Sequence, residues 1–251
     1  MIDLHCHLLP DIDDGSKSWE ESLEMASIAA QDGIKGAVTT PHWIKGTNWE
    51  PEVSTVKEKV NEFNLKLVDA GIDFKVYPGM EIGITTNLAE FVSSGRILTL
   101  AEGEYLLLEI PFYSLPYGLE EIIDSLRKIG KKVILAHPER GKELQENPSR
   151  ILDFKELGAL VQITAGSLCG DFGEKAKKCA LDFAKLGVLD IVASDAHSTR
   201  RRRPIVSAGL LILEDEIGSD KVNEIIENSY KVIGLASSSY EQEQCNELSP
   251  L

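Results

Sequence analysis

All five histidines of the chain stand beside other potential metal ligands. His5 and His7 lie in Asp3-Leu4-His5-Cys6-His7, and His42 follows Thr40-Pro41. His137 opens His137-Pro138-Glu139-Arg140, and His197 closes Ser194-Asp195-Ala196-His197. Imidazole is the commonest protein ligand for transition metals, so this use of every histidine points to a metal centre. Each follows a short apolar, β-branched run, the pattern of a buried strand. His5-x-His7 and Asp195-x-His197 each put two donors on one strand face, because side chains alternate with period two. One such pair is a weak signal; two, at opposite ends of the chain, make accident improbable. Glu109 ends the run Leu106-Leu107-Leu108, where an ionised carboxylate is costly without a cation or a basic partner. Glu81 follows Pro78-Gly79-Met80 and fits either a ligand or an exposed turn. Asp11, Asp13 and Asp14 precede Gly15; one of them could bind metal while the others form the turn.

Five histidines and at least four carboxylates exceed the roughly four ligands of one tetrahedral zinc, so two or three divalent ions are expected. The mixed nitrogen and oxygen set suits manganese, iron or zinc about equally. Cys6 alternates away from its histidine neighbours and reads as core. Adjacent divalent ions suit the hydrolysis of phosphate esters, because they activate water and hold the attacking and leaving oxygens. Charge on the phosphoryl group then calls for cationic side chains. Arg140, three residues after His137, is one candidate, and the run Arg200 to Arg203 supplies another. The plain alternative for that run is a solvated stretch with one arginine turned inward. Cysteine-based phosphate chemistry needs an arginine six positions after the thiolate. Ile12, Lys175, Lys185 and Leu251 stand there after Cys6, Cys169, Cys179 and Cys245, which excludes it.

Strand and helix patterns alternate from the start and must position these groups. Strands are expected over 1–7, 36–40, 74–77, 105–110, 132–136, 160–164 and 189–193. Helices are expected over 18–32, 51–70, 119–129, 148–157, 174–186, 205–217 and 221–228, several ending at a glycine. Ser18-x-x-Glu21 reads as a capping box. Seven strand-plus-helix units without a long linker argue for one α/β domain with parallel strands. Nearly every polar candidate falls at the carboxyl end of its strand. A barrel gathers all such ends at one mouth, whereas an open sheet gathers two or three. The expectation is therefore a distorted (β/α)7 TIM-like barrel over 1–236, with a loose polar tail over 237–251.

With 26 Lys and Arg against 41 Asp and Glu among 251 residues, the formal charge is −15, which disfavours nucleic acid as a partner. No apolar run approaches the ~20 residues that span a bilayer. Four cysteines without paired spacing fit the reducing cytoplasm.

In order along the chain, Asp3-Leu4-His5-Cys6-His7, Asp13-Asp14-Gly15, Thr40-Pro41-His42, Pro78-Gly79-Met80-Glu81-Ile82, Leu107-Leu108-Glu109-Ile110-Pro111, Ala136-His137-Pro138-Glu139-Arg140 and Ala193-Ser194-Asp195-Ala196-His197 resemble the PHP (polymerase and histidinol phosphatase) superfamily. More narrowly they resemble its bacterial manganese-dependent protein-tyrosine phosphatases of capsule and exopolysaccharide biosynthesis, from residue 1 to about residue 235. The resemblance implies a barrel of PHP type holding three metals and cleaving phosphotyrosine from the tail of a bacterial tyrosine kinase. It assigns His5, His7, Glu81 and Asp195 to one site, with Glu81 bridging to a second completed by Glu109 and His137. Asp14, His42 and His197 resemble the third, Asp14 being preferred because it directly precedes the glycine. Arg140 matches a phosphate-binding arginine. A second falls five residues after His197, at Arg202, although relatives with Arg-Pro would favour Arg203-Pro204. The rival substrate is a small phosphomonoester such as histidinol phosphate. Short loops, the longest near 43–50, favour the open mouth that a protein substrate needs.

Overall fold

The computed structural model describes residues 1–235. The expected polar tail over 237–251, and the domain limit at 236, lie outside the described residues. Nine strands occur among those described: β1 (Ile2–Cys6), β2 (Gly36–Thr39), β3 (His42–Trp43), β4 (Lys75–Pro78), β5 (Glu81–Gly83), β6 (Tyr105–Glu109), β7 (Lys132–Ala136), β8 (Leu160–Thr164) and β9 (Ile191–Ala193). The helices are α1 (Trp19–Gln31), α2 (Val53–Asp69), α3 (Leu88–Ser93), α4 (Leu119–Lys128), α5 (Lys142–Glu146), α6 (Ile151–Glu156), α7 (Ala165–Cys169), α8 (Glu174–Lys185), α9 (Ser207–Ile217) and α10 (Ser219–Val232).

All strand pairings are parallel, in two sheets ordered β1-β2-β4 and β3-β5-β6-β7-β8-β9. The second and third expected strands appear as β2 and β4, and a short strand not expected from sequence, β3 or β5, follows each. Thr40 and Pro41 separate β2 from β3, and Gly79 and Met80 separate β4 from β5. Proline has no N–H for a ladder, so the pairing breaks there and resumes beyond it with His42 opposite Glu81. At the other seam β1 meets the end of β9 through one parallel bridge between Cys6 and Ala196. Two backbone bonds flank it, from Asp195 N–H to the His5 carbonyl and from His7 N–H to the Ala196 carbonyl, each 2.8 Å. The ring of strands expected from sequence is thus two sheets that meet at these seams.

The strands are apolar on both faces, as parallel sheets covered by helices require. On β6, Leu106 and Leu108 join the larger core with Phe63, Phe154 and Phe183 of the helices. Leu107 alternates into a smaller cluster with Ile134 and Ile191. Glu109 continues the Leu107 face, so the same alternation that builds the core carries its carboxylate to the strand end. The helices follow their apolar stripes: α2 buries Val56, Val60, Phe63 and Leu67. At α1 the Glu21 N–H donates to Ser18 Oγ as expected, but the Glu21 carboxylate accepts from Lys17 N–H instead of from the cap residue.

Candidate metal centre

The carboxyl ends of β1, β6, β7 and β9, the first residues of β3 and β5, and the 13–15 turn converge on one buried centre. Four overlapping groups bring their ligand atoms within 4.8 Å of one another: His5, His7 and Glu81; His5, His137 and Asp195; His42, Glu81 and Glu109; His7, Asp14, His42 and His197. Every residue singled out from sequence as a ligand is among them. His137 falls with His5 and Asp195 and also meets Glu81 Oε1 at 2.8 Å, while Glu109 falls with Glu81 and His42.

Neighbouring side chains orient the imidazoles. His5 Nδ1 donates to Gln162 Oε1 at 2.9 Å, and His7 Nδ1 donates to Asp13 Oδ2 at 2.7 Å. With those protons on Nδ1, both Nε2 lone pairs face the centre, 3.3 Å apart. Glu81 Oε2 and Asp195 Oδ1 approach the same two atoms at 3.2–3.5 Å. Four lone-pair donors at this spacing repel one another unless a positive charge lies between them. The edge of a tetrahedron of ligands about 2.1 Å from its centre is about 3.4 Å, so the donor set fits a divalent ion. Orphaned atoms point the same way: Glu81 Oε2, Asp195 Oδ1, His42 Nδ1, His137 Nδ1 and His197 Nε2 are buried without a hydrogen bond. His197 Nδ1 donates to the Asp195 carbonyl at 3.0 Å, which leaves Nε2 turned toward Asp14 Oδ1, 3.3 Å away. His42 Nε2 lies 3.4 Å from that same oxygen.

The ionisation pattern is that of a site built for cations. Burial opposes charge on His5, but Glu81 and Asp195 outweigh it and raise its pKa. Burial likewise opposes charge on His42, yet contacts with Asp14 and Glu81 push it up to about 10. Glu109 is raised to about 7 by burial and by the nearby charge of Glu81. His137 is lowered to about 4 by burial and by Arg140 beside it.

Asp195 is divided between two duties. Its Oδ1 faces the imidazoles, whereas Oδ2 takes Arg140 Nη1 at 2.7 Å and Arg202 Nη2 at 2.5 Å. Of the four consecutive arginines, Arg202 is the one that reaches this carboxylate. Arg140 also donates to Thr164 Oγ1 at 2.5 Å and lies 3.6 Å above the Phe172 ring. His137, Asp195 and Arg202 all hold left-handed backbone, with φ of 35°, 50° and 51°. Non-glycine residues persist there only when their surroundings compel it, and functional sites concentrate such strain.

The sequence marks Asp13 only as a turn residue and assigns no role to Gln162, Glu139, Thr164 and Phe172. Asp13 also accepts from the N–H groups of Gly15 and His42, tying the turn to β3. Asp3 accepts from the Ser194 N–H and hydroxyl, holding the β9 end against β1. Glu139 accepts from Thr164 N–H and Ser167 Oγ. The signal for Gln162 was a polar side chain inside the apolar strand Leu160-Val161-Gln162-Ile163. Gly15 is required by close approach: a Cβ there would sit 2.4 Å from the His7 carbonyl oxygen.

The family model for capsular polysaccharide synthesis, CpsB/CapC, matches residues 1–234. The chain belongs to the CpsB/CapC family. It is 37% identical over 229 residues to the tyrosine-protein phosphatase YwqE of Bacillus subtilis, covering 91% of this chain and 90% of that protein. A solved structure described as one of the unique metal-dependent tyrosine phosphatases, YwqE of Bacillus subtilis and CpsB of Streptococcus pneumoniae, superposes with a TM-score of 0.89. The identity there is 36%, over 93% of this chain and 94% of that one. Histidinol phosphate phosphatase from Lactococcus lactis superposes with a TM-score of 0.57 at 12% identity, over 86% of this chain and 94% of that one. That likeness is one of fold alone. Among the described residues of this CpsB/CapC chain, no helix is long and apolar enough to cross a membrane.

Proposed function

We propose that this CpsB/CapC protein is a metal-dependent protein-tyrosine phosphatase, acting in the cytoplasm on phosphotyrosine of a bacterial tyrosine kinase that controls capsular or exopolysaccharide synthesis. The observation that carries the reading is the meeting of His5, His7, Glu81 and Asp195 lone pairs beneath two guanidinium groups. Three divalent ions, manganese before iron or zinc, would be held by these four with Asp14, His42, Glu109, His137 and His197. The two parallel sheets are read as parts of one distorted seven-unit barrel whose mouth is this site.

Ions held there would supply water activation at neutral pH and charge neutralisation at the phosphoryl group. The chain's own residues do the rest. Arg140 and Arg202 already point at one carboxylate oxygen and would turn to the phosphoryl oxygens when an anion enters. Thr164 and the Phe172 ring hold the Arg140 plane, which limits the freedom lost on binding. Phe112 lies 5.7 Å, ring centre to ring centre, from His137, and Tyr113, next in the chain, is exposed. This aromatic rim is the wall a phenyl phosphate needs and a small polar metabolite does not. Tyrosinate, with a pKa of about 10, leaves without a dedicated general acid.

The test is turnover of a phosphotyrosine peptide, p-nitrophenyl phosphate and histidinol phosphate before chelation, after it, and after manganese is restored. The expected result is activity lost and regained, with the peptide preferred over histidinol phosphate. Full activity after chelation, or preference for histidinol phosphate, overturns the proposal.

A further inference from the structure

Beside Arg202 lies a cavity of about 640 Å³ whose walls include Phe172, Ser194 and all four of Arg200, Arg201, Arg202 and Arg203. Its size is within the roughly 300–1,000 Å³ that accommodates a compact ligand or a few side chains. It adjoins the metal centre through shared residues. Ser194 bonds Asp3, Arg202 bonds Asp195, and Phe172 underlies Arg140. The four arginines are not a loose tail. His197 N–H donates to the Arg202 carbonyl at 2.8 Å, Ser198 Oγ donates to the Arg201 carbonyl at 2.5 Å, and Arg202 is held at φ 51°.

Arg202 is engaged with Asp195, whereas Arg200, Arg201 and Arg203 are exposed and make no ion pair among the described residues. Asp171 is the one acidic residue on the cavity wall. Three arginines without an ion pair, all lining one cavity, stand out in a chain of net charge −15. Such a chain repels anionic substrates at long range, so a local reversal of sign at the site's edge has a steering and docking use.

We propose that this arginine-lined cavity is the subsite for acidic side chains flanking the phosphotyrosine in the substrate protein. The proposal rests on the phosphatase reading above and adds the substrate's chemistry: Asp- or Glu-rich sequence next to the target tyrosine. Carboxylates of the flank would pair with Arg200, Arg201 and Arg203 while the phosphoryl group meets Arg140 and Arg202. An anionic lipid surface is the competing partner for the same charge.

The test compares kcat/KM for two phosphotyrosine peptides differing only in acidic or neutral flanks, using the metal-loaded enzyme and a variant carrying Arg200→Gln, Arg201→Gln and Arg203→Gln. The acidic peptide should be favoured by about five- to tenfold in the native enzyme, the sum of a few exposed ion pairs. That preference should vanish in the variant and shrink with added salt, while p-nitrophenyl phosphate turnover is unchanged in both. Equal kcat/KM for the two peptides, or a preference that survives in the variant, overturns the subsite alone. Failure to hydrolyse either peptide overturns the phosphatase reading and the subsite with it. Arginine-dependent binding to phosphatidylserine vesicles, without any flank preference, overturns the peptide and assigns the patch to a membrane surface.

Discussion

The inner and outer parts of the metal centre are built differently. His5, His7, Glu81 and Asp195 are at most 1% exposed, and each touches at least two of the others. At the mouth, the Asp14 side chain is 44% exposed while His42 and His197 are 10% and 7%. The inner donors are locked by Gln162, Asp13 and the two arginines, so their geometry precedes any ion. The outer donors depend on one solvent-facing carboxylate on a turn. The inner set therefore suits a retained ion and the outer set an exchangeable one that meets the substrate.

The sharpest way to break this contrast is to remove one carboxylate from each part. Glu81→Ala takes away the group lying against His5, His7, His42 and His137. It should lower kcat/KM by well over 100-fold, more than loss of an outer partner costs, and reduce the metals retained per chain. Asp14→Ala should keep the inner metal content and lose one exchangeable ion, measured by elemental analysis after gel filtration. Equal metal loss in the two variants would erase the distinction. Next in size, Asp13→Ala frees the His7 ring and should weaken metal affinity by about 10- to 100-fold in a competition titration against a chelating dye. An unchanged affinity would mean that packing alone orients His7. Smaller in activity, Gly15→Ala forces the turn away from His7. It should lower the melting temperature by roughly 5 °C, as expected for about 2 kcal/mol in a domain of this size. The smallest change is Phe112→Ala, predicted to raise KM for a phosphotyrosine peptide about three- to tenfold while leaving metal content alone. An unchanged KM would remove the aromatic rim from substrate binding.

Much of the centre was legible because strand chemistry is local. His5-x-His7 and Glu109 after three leucines declare their face and their strand end through alternation alone. By residue chemistry alone the run of arginines is legible only as charge; the resemblance singles out Arg202, five residues after His197, and the left-handed turn there brings it to Asp195. Asp13 and Asp14 are adjacent and chemically identical; the resemblance prefers Asp14 for its place before Gly15, and the fold sets Asp13 on His7 and Asp14 facing His42 and His197. Gln162 stands out as the polar residue of an apolar strand, but only the fold shows that it bonds His5. The ends of the expected strands before Pro41 and Pro78 were legible, but the two- and three-residue strands that resume at His42 and Glu81 are too short to show a periodicity.

By itself the sequence determined the alternation of strand and helix, the donor types and their position at strand ends, because these follow from backbone periodicity and side-chain chemistry. Only the tertiary structure decided which donors meet at one centre, that Asp13 rather than Asp14 orients His7, and where the arginine run opens a cavity. Those outcomes depend on distances between residues far apart in the chain, such as the 3.3 Å from His5 to Asp195, which packing of the whole domain sets.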